Sequence, residues 1–226
     1  MIQDEIALSL ETESIEKTLS IVELIKSGGL AGQLIIALLT ALLVVALYIY
    51  FERLFTIKAA SKVDPNFMNQ IKDHVVNGKI EAAKALCVNV NSPVSRLIHK
   101  GISRIGRPLA DINSAIENAG KLEVYSLEKN VSILATISGA APMIGFLGTV
   151  IGMILSIFEI ANSGGQIDIK LLADGLYTAM TTTVAGLVVG IIAYISYNHI
   201  VGRTNKVVYQ MEANSVEFLD LLNEPI

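Results

Sequence analysis

The chain carries ISGAAPMIGFLGTVIGMILSIF at residues 137–158 and GLYTAMTTTVAGLVVGIIAYISY at residues 175–197, two long apolar stretches rich in glycine and threonine. Neither stretch contains Asp, Glu, Lys or Arg. Each reaches the roughly 20 apolar residues that a helix needs to cross a bilayer. Polar side chains in such helices are costly unless they face a partner or a water-filled path, so the threonines predict an internal polar lining. We therefore expect an integral membrane protein whose function lies inside the membrane.

A third apolar stretch, GGLAGQLIIALLTALLVVALYIYF, lies upstream at residues 28–51. We expect transmembrane helices at 28–51, 131–159 and 174–200. The composition agrees, because 52% of the 226 residues are hydrophobic and only 17% are charged, with a mean hydropathy of +0.57. A net charge of −4 offers no basic surface, so nucleic acid is not an expected partner.

Basic residues predict how these helices are oriented, because they are concentrated in cytosolic loops. Twelve of the 17 Lys and Arg residues fall between the first two spans, and Arg203 and Lys206 follow the third. Only Lys17, Lys26 and Lys170 lie elsewhere. We therefore place 52–130 and the 201–226 tail in the cytosol, and 1–27 and the 160–173 loop on the outer face.

Outside the spans the sequence is also typical of helices, and no strand pattern of any length appears. Residues 1–27 are expected to form an amphipathic helix at the outer membrane surface. Within 52–130, Asp64-Pro65 and Ser92-Pro93 are each expected to begin a helix, as N-cap and first helical residue, and Asn77-Gly78 and Gly106-Arg107-Pro108 are expected to interrupt the helices. From Asp111 an amphipathic helix is expected to continue into the second span, with Gly120 as the one possible break. The predicted fold is an all-α integral membrane protein whose three transmembrane helices are extended by a cytosolic helical bundle.

Threonines are the polar candidates inside the spans: Thr149 in the second, and Thr178, Thr181, Thr182 and Thr183 in the third. A single threonine often bonds only to its own helix. The four threonines within 178–183 cannot all lie on one face of a helix, so at least one of them must face a packed or hydrated interior. Their hydroxyls can order water or coordinate a small cation, but they cannot act as acids. No acidic residue lies deep in any span, so a partner chain is the simplest source of a titrating carboxylate.

Small residues recur along both spans at the spacing that lets helices approach closely in lipid. They are Gly145, Gly148 and Gly152 in the second span and Gly186 and Gly190 in the third. Pro142 is expected to kink the second span and free a backbone carbonyl. The stripes fit two readings equally well: packing within one chain, or packing around the axis of an oligomer.

Signatures of soluble catalysis are missing from the sequence. There is no phosphate-binding loop of the G-x-x-x-x-G-K-[ST] kind. The three histidines, His74, His99 and His199, are widely spaced, and no further metal-ligating residues accompany them in the sequence. The one cysteine, Cys87, is expected to be a small buried apolar residue. We expect neither an enzyme nor a bound cofactor or metal.

At LATISGAAPMIGFLGTVIGM (134–153) and GLYTAMTTTVAGLVVGIIAYISYN (175–198), the chain resembles the ExbB/TolQ/MotA family of ion-driven motor stators. The order of the three spans and the large cytosolic insert after the first span also match. MotA has four spans, so the ExbB/TolQ branch is the nearer one, and ExbB is nearest.

The resemblance implies a ring-shaped homopentamer in the bacterial inner membrane, built around a single-span ExbD-like partner that carries a membrane aspartate. It also implies a TonB-like protein as the recipient of the work, and pore threonines at Thr149 and Thr183. We assign Thr178 and Thr182 to the same ion pathway. One departure is visible, because Thr178 stands where ExbB and TolQ usually carry a glutamate. That substitution leaves the choice between protons and sodium ions open.

Three hypotheses follow. The first is a stator subunit that uses the proton motive force to energise TonB-dependent outer-membrane transport, with a TolQ-like or motility-type stator as its variants. The second is a membrane scaffold without ion flux, and the third is a small-solute transporter, which usually needs more spans or inverted repeats.

Overall fold

The computed structural model describes residues 29–62, 64–162 and 169–223, and these ranges contain seven helices. In chain order they are α1 (Gly29–Ala60), α2 (Phe67–Val76), α3 (Ile80–Val90), α4 (Pro93–Ile102), α5 (Leu109–Leu127), α6 (Val131–Asn162) and α7 (Ile169–Asn223). These ranges contain no strand, so the predicted all-α fold is confirmed. The amphipathic helix expected at 1–27 lies outside the described residues.

Three of the helices are long and apolar enough to cross a membrane. They are Ala31–Ala60 within α1, Val131–Asn162, which is α6, and Gly175–Asn223 within α7. Many of their large apolar side chains, such as Phe146, Ile154 and Val188, are exposed in the single chain. Continuous apolar surface of this kind needs lipid or partner protein to cover it.

The chain divides into two compact units. The first unit comprises the described residues up to Val44 together with Ile137–Ile192. The second comprises Val45–Thr136 and the chain from Ala193 onward. Helices α1, α6 and α7 each contribute residues to both units.

The second unit is a helical bundle with its own apolar core. Ile71, Ile98 and Phe218 are completely buried there, and Phe67 nearly so. Cys87 belongs to the same core, as expected of a small apolar residue. Burial raises the pKa of its thiol to about 11, so the thiol stays protonated and unreactive at neutral pH.

Several turns occur where the sequence predicts them. Ser92 and Pro93 begin α4: the Ser92 hydroxyl accepts a hydrogen bond from the backbone N–H of Ser95 at 3.1 Å, and the Ser95 hydroxyl accepts one from the N–H of Ser92 at 2.9 Å. This reciprocal pair satisfies two N–H groups that a helix start leaves without partners. Gly78 and Gly106 have φ angles of +70° and +94°, which glycine adopts without steric cost.

Two expected helix boundaries are wrong. The helix expected at Asp64-Pro65 begins only at Phe67, because the Asp64 carboxylate accepts the backbone N–H of Asn66 at 2.8 Å and holds a turn there. The helix expected to run from 111 into the second span ends at Leu127, with α6 starting afresh at Val131. Asn130 makes the break by adopting φ of 62°, a left-handed conformation that asparagine tolerates better than most residues.

The 201–226 tail continues the helix of the third span as far as Asn223. From Ile200 onward the buried residues of this helix are spaced by three, four or seven positions, at Ile200, Thr204, Val207, Met211 and Phe218. That spacing places them on one face of the helix, which packs into the core of the second unit. Burial of this stripe against the core stabilises the helix in this segment.

A buried arginine joins α1 to α5 inside the second unit. Arg53 is only 5% exposed. Its guanidinium pairs with Glu52 and donates from Nη1 to the backbone oxygen of Ser126 at 3.0 Å. Ser126 lies in the last turn of α5, where the partial negative charge of a helix end stabilises a cation.

Candidate functional site

Helices α6 and α7 are in backbone contact within the first unit. A Cβ added at Gly186 would lie 2.6 Å from the carbonyl oxygen of Ala141 and 2.9 Å from the Cα of Gly145. One added at Gly145 would lie 2.7 Å from the carbonyl oxygen of Thr182. Both positions therefore require glycine at this crossing.

The remaining small residues extend the same contact in both directions. A Cβ at Gly152 would lie 3.1 Å from the Cβ of Ala179, and one at Gly190 would lie 2.6 Å from Cγ of Pro142. A Cβ at Gly148 would overlap the side chain of Thr182. The packing residues proposed from the sequence thus contact the facing helix of their own chain.

The carbonyl oxygen of Gly145 is the polar centre of this contact. The Thr183 hydroxyl donates to it at 3.2 Å. The Thr182 hydroxyl lies 3.3 Å from it and also 2.8 Å from the carbonyl oxygen of Ala179, its closer acceptor. Thr182 is completely buried, whereas Thr183 is only partly buried.

The other threonines lie in different surroundings. Thr149 is partly buried and donates to the carbonyl oxygen of Phe146 at 2.5 Å. Thr181 donates to its own helix, at the carbonyl oxygen of Tyr177. Thr178 is buried, and a Cβ added at Gly32 of α1 would lie 2.8 Å from its Cγ2. Thr178 and Thr182 therefore pack inside the chain, while Thr149 and Thr183 keep part of their surface outside it.

These hydrogen bonds fix which atoms Thr149 and Thr183 present to their surroundings. A hydroxyl has one proton, and both residues donate it to a backbone carbonyl. What remains on each oxygen is acceptor capacity, which suits water or a cation and not an anion. Residues 137–158 contain no acid, and Glu159 is exposed near the end of α6. Neither 137–158 nor 175–197 therefore supplies an acid to this site.

Two features of the site were not found from the sequence. One is the Gly145 carbonyl, a backbone group that no motif marks. The other is Ser156, which is 5% exposed, donates to the carbonyl oxygen of Gly152 at 2.9 Å and packs directly against Gly175. The sequence signal that could have identified Ser156 is its position four residues after Gly152 in an apolar stretch.

Residues 89–213, more than half of the chain, match the MotA/TolQ/ExbB proton channel family. The chain belongs to this family. The match includes all of α6 and most of α7, so the glycines and threonines of the α6–α7 contact lie inside it. Membership confirms the resemblance to ExbB and TolQ and the assignment to a family of membrane proton channels.

Relatives within the family carry both ExbB and TolQ names. An ExbB homolog of Methanothermobacter thermautotrophicus is 27% identical over 194 residues, which cover 85% of this chain and 67% of that protein. The biopolymer transport protein ExbB of Aquifex aeolicus is 37% identical over 87 residues, 38% of this chain and 58% of the relative. The Tol-Pal system protein TolQ of Pseudomonas aeruginosa is 24% identical over 228 residues, 96% of this chain and 98% of that protein.

Proposed function

We propose that this chain is the stator and ion-channel subunit of an ExbB–ExbD-type motor in the bacterial inner membrane. The motor uses the proton motive force to energise TonB-dependent outer-membrane transport. One observation carries the proposal: α6 and α7 form a glycine-packed pair whose partly exposed threonines present acceptor oxygens, in a stretch without an acid. Such a pair can line a cation path but cannot complete a proton relay alone.

Because this chain supplies no acid to the proton relay, the proposed assembly includes a partner that does. A single-span ExbD-like partner supplies the membrane aspartate next to Thr149 and Thr183, and a TonB-like protein receives the work. Five copies of this chain surround the partner helices, with their exposed apolar faces covered by neighbouring copies and membrane lipids. The N-terminus is periplasmic, and 52–130 and the C-terminus are cytoplasmic.

Native mass spectrometry of the chain co-expressed with such a partner tests the assembly. We expect five copies of this chain with two of the partner. Recovery of the chain alone, as a monomer or dimer that captures no partner, would contradict the proposal and favour a scaffold without ion flux.

Ion flux is the second test. Asp→Asn at the partner's membrane aspartate should abolish proton flux into liposomes without changing the five-to-two mass. Flux of wild-type size in that variant would defeat the partner-carboxylate mechanism. Comparing sodium-containing with sodium-free buffers in the same assay identifies the coupling ion.

A TolQ-like stator is the second candidate, and one observation favours it. The Pseudomonas TolQ alignment spans nearly the full length of both proteins, whereas the Aquifex ExbB alignment covers 58% of the relative. Deleting the gene distinguishes the two roles. Loss of TonB-dependent uptake with an intact envelope supports the ExbB-type role, and envelope leakage with normal uptake supports the TolQ-type role.

A further inference from the structure

A cavity of about 190 Å³ lies in the second unit. It is bounded by the first turn of α6 and by the middle of α7. Its lining residues are Glu128, Val131, Ser132, Tyr197, Val201 and Thr204. They lie around the N-terminal end of the second predicted span and the C-terminal end of the third. Both helices that carry the candidate ion pathway therefore contribute to this cavity.

Thr204 is the residue that makes the cavity unusual. It is 2% exposed, and its Oγ1 has no hydrogen-bond partner among the described residues. Other hydroxyls of α7, such as those of Thr181 and Ser215, bond to the carbonyl four residues earlier. A buried hydroxyl without a partner costs about 1–3 kcal/mol, so Thr204 needs a partner from the cavity it lines.

The size and polarity of the cavity indicate what fills it. At ~30 Å³ per molecule, the space holds several waters. Its polar lining residues are Glu128, Ser132, Tyr197 and Thr204, and no Lys or Arg is among the lining residues. Glu128 and Ser132 are exposed, so the cavity opens to the surface on their side. Glu128 makes no ion pair with another described residue, and Lys129, which follows it, is exposed outside the lining. An anionic, hydroxyl-lined space of this kind favours water and cations over anions.

We infer that this cavity is the hydrated vestibule through which the transported monovalent cation leaves the pathway on the cytoplasmic side. Glu128 attracts the cation, and Thr204, Ser132 and Tyr197 order the water around it. This role rests on the proposed function, and it assigns to the chain itself a charged group that the membrane-spanning stretches lack.

Ion flux through the full complex tests the vestibule. The chain is co-purified with its single-span partner, reconstituted in liposomes and driven by an imposed potential, and proton flux is read by an internal pH dye, with and without sodium. Glu128→Gln removes the charge that concentrates cations at the mouth, and Thr204→Val removes the buried hydroxyl. We expect each variant to lower flux by at least about threefold. Thr204→Ser, which keeps the hydroxyl, should restore most of it.

Loss of folding cannot explain the expected result for Thr204→Val. Thr204→Val breaks no hydrogen bond to another described residue and removes only contacts to cavity water, so the complex should keep its five-to-two mass and nearly its wild-type melting temperature. Glu117→Gln and Thr56→Val are the controls. Glu117 is exposed on α5 and accepts a hydrogen bond from Asn113, and the Thr56 hydroxyl donates to the carbonyl oxygen of Glu52. Both controls should conduct like the wild type.

The outcomes separate this inference from the proposed function. If the wild-type complex conducts and both Glu128→Gln and Thr204→Val conduct equally well, the vestibule is wrong and the stator role stands. If the wild-type complex shows no uncoupler-sensitive flux, both are overturned. Reduced flux in the two variants, with the five-to-two mass retained, supports the vestibule.

Discussion

The hydroxyl of Thr183 is the residue-scale feature on which the ion pathway depends. It donates to the Gly145 carbonyl at 3.2 Å, so its lone pairs remain available to water or a cation. Thr183→Val removes those lone pairs and keeps the volume of the side chain. We expect proton flux to fall by about tenfold, equivalent to ~1.4 kcal/mol on the barrier, with assembly intact. Liposome flux and native mass spectrometry measure the two effects.

Thr181→Val is the matched control for that substitution. Thr181 lies two residues before Thr183 on the same helix, but its hydroxyl donates to the carbonyl oxygen of Tyr177, one turn earlier in α7. We expect this variant to conduct normally, and Thr183→Ser to retain most of the flux. Equal losses for Thr181→Val and Thr183→Val would show that the helix, and not the Thr183 oxygen, had been disturbed.

At the scale of helices, the crossing of α6 and α7 tolerates no side chain at its centre. A Cβ at Gly186 meets backbone atoms of Ala141 and Gly145, which cannot move aside as a flexible side chain can. Gly186→Ala should therefore destabilise the chain by about 1–3 kcal/mol, although alanine favours helices. Gly202→Ala, on the same helix with nothing within 4 Å, should be neutral or stabilise by up to about 1 kcal/mol. Thermal unfolding in detergent checks both, and a lower melting temperature for Gly202→Ala would contradict the account.

The last turns of α7 stabilise the second unit by burial. Phe218 is completely buried and packs against Gly101 of α4. Phe218→Ala should cost about 3–5 kcal/mol and speed hydrogen exchange in α4. Val216, two residues earlier on the same helix, is 58% exposed, and Val216→Ala should stay within about 0.5 kcal/mol of wild type. Unchanged exchange in α4 of the Phe218 variant would mean that this contact does not stabilise α4.

The same helices show what the sequence could and could not predict. Apolar length identified the three membrane helices, and Ser92-Pro93 identified the start of α4, because both signals are local. The extension of α7 was also present in the spacing of Ile200, Val207, Met211 and Phe218, although it was not used. The contact between α6 and α7 decides which threonines pack inside the chain and makes the Gly145 carbonyl their shared acceptor. Gly145 and Thr182 lie 37 residues apart in the sequence. No local pattern encodes that contact.

Orientation in the membrane is a property of the whole molecule, and the asymmetric distribution of Lys and Arg predicts it. Because the chain has a single cysteine, Cys87→Ala gives a background for single-site labelling. Lys100→Cys and Asn162→Cys place thiols at exposed positions of α4 and the end of α6. With an impermeant maleimide on cells whose outer membrane is permeabilised, we expect Asn162→Cys to label and Lys100→Cys to label only after lysis. The reverse pattern would invert the orientation, and Glu128 and Thr204 would then lie at the periplasmic end of the pathway, where they would admit the cation and not release it.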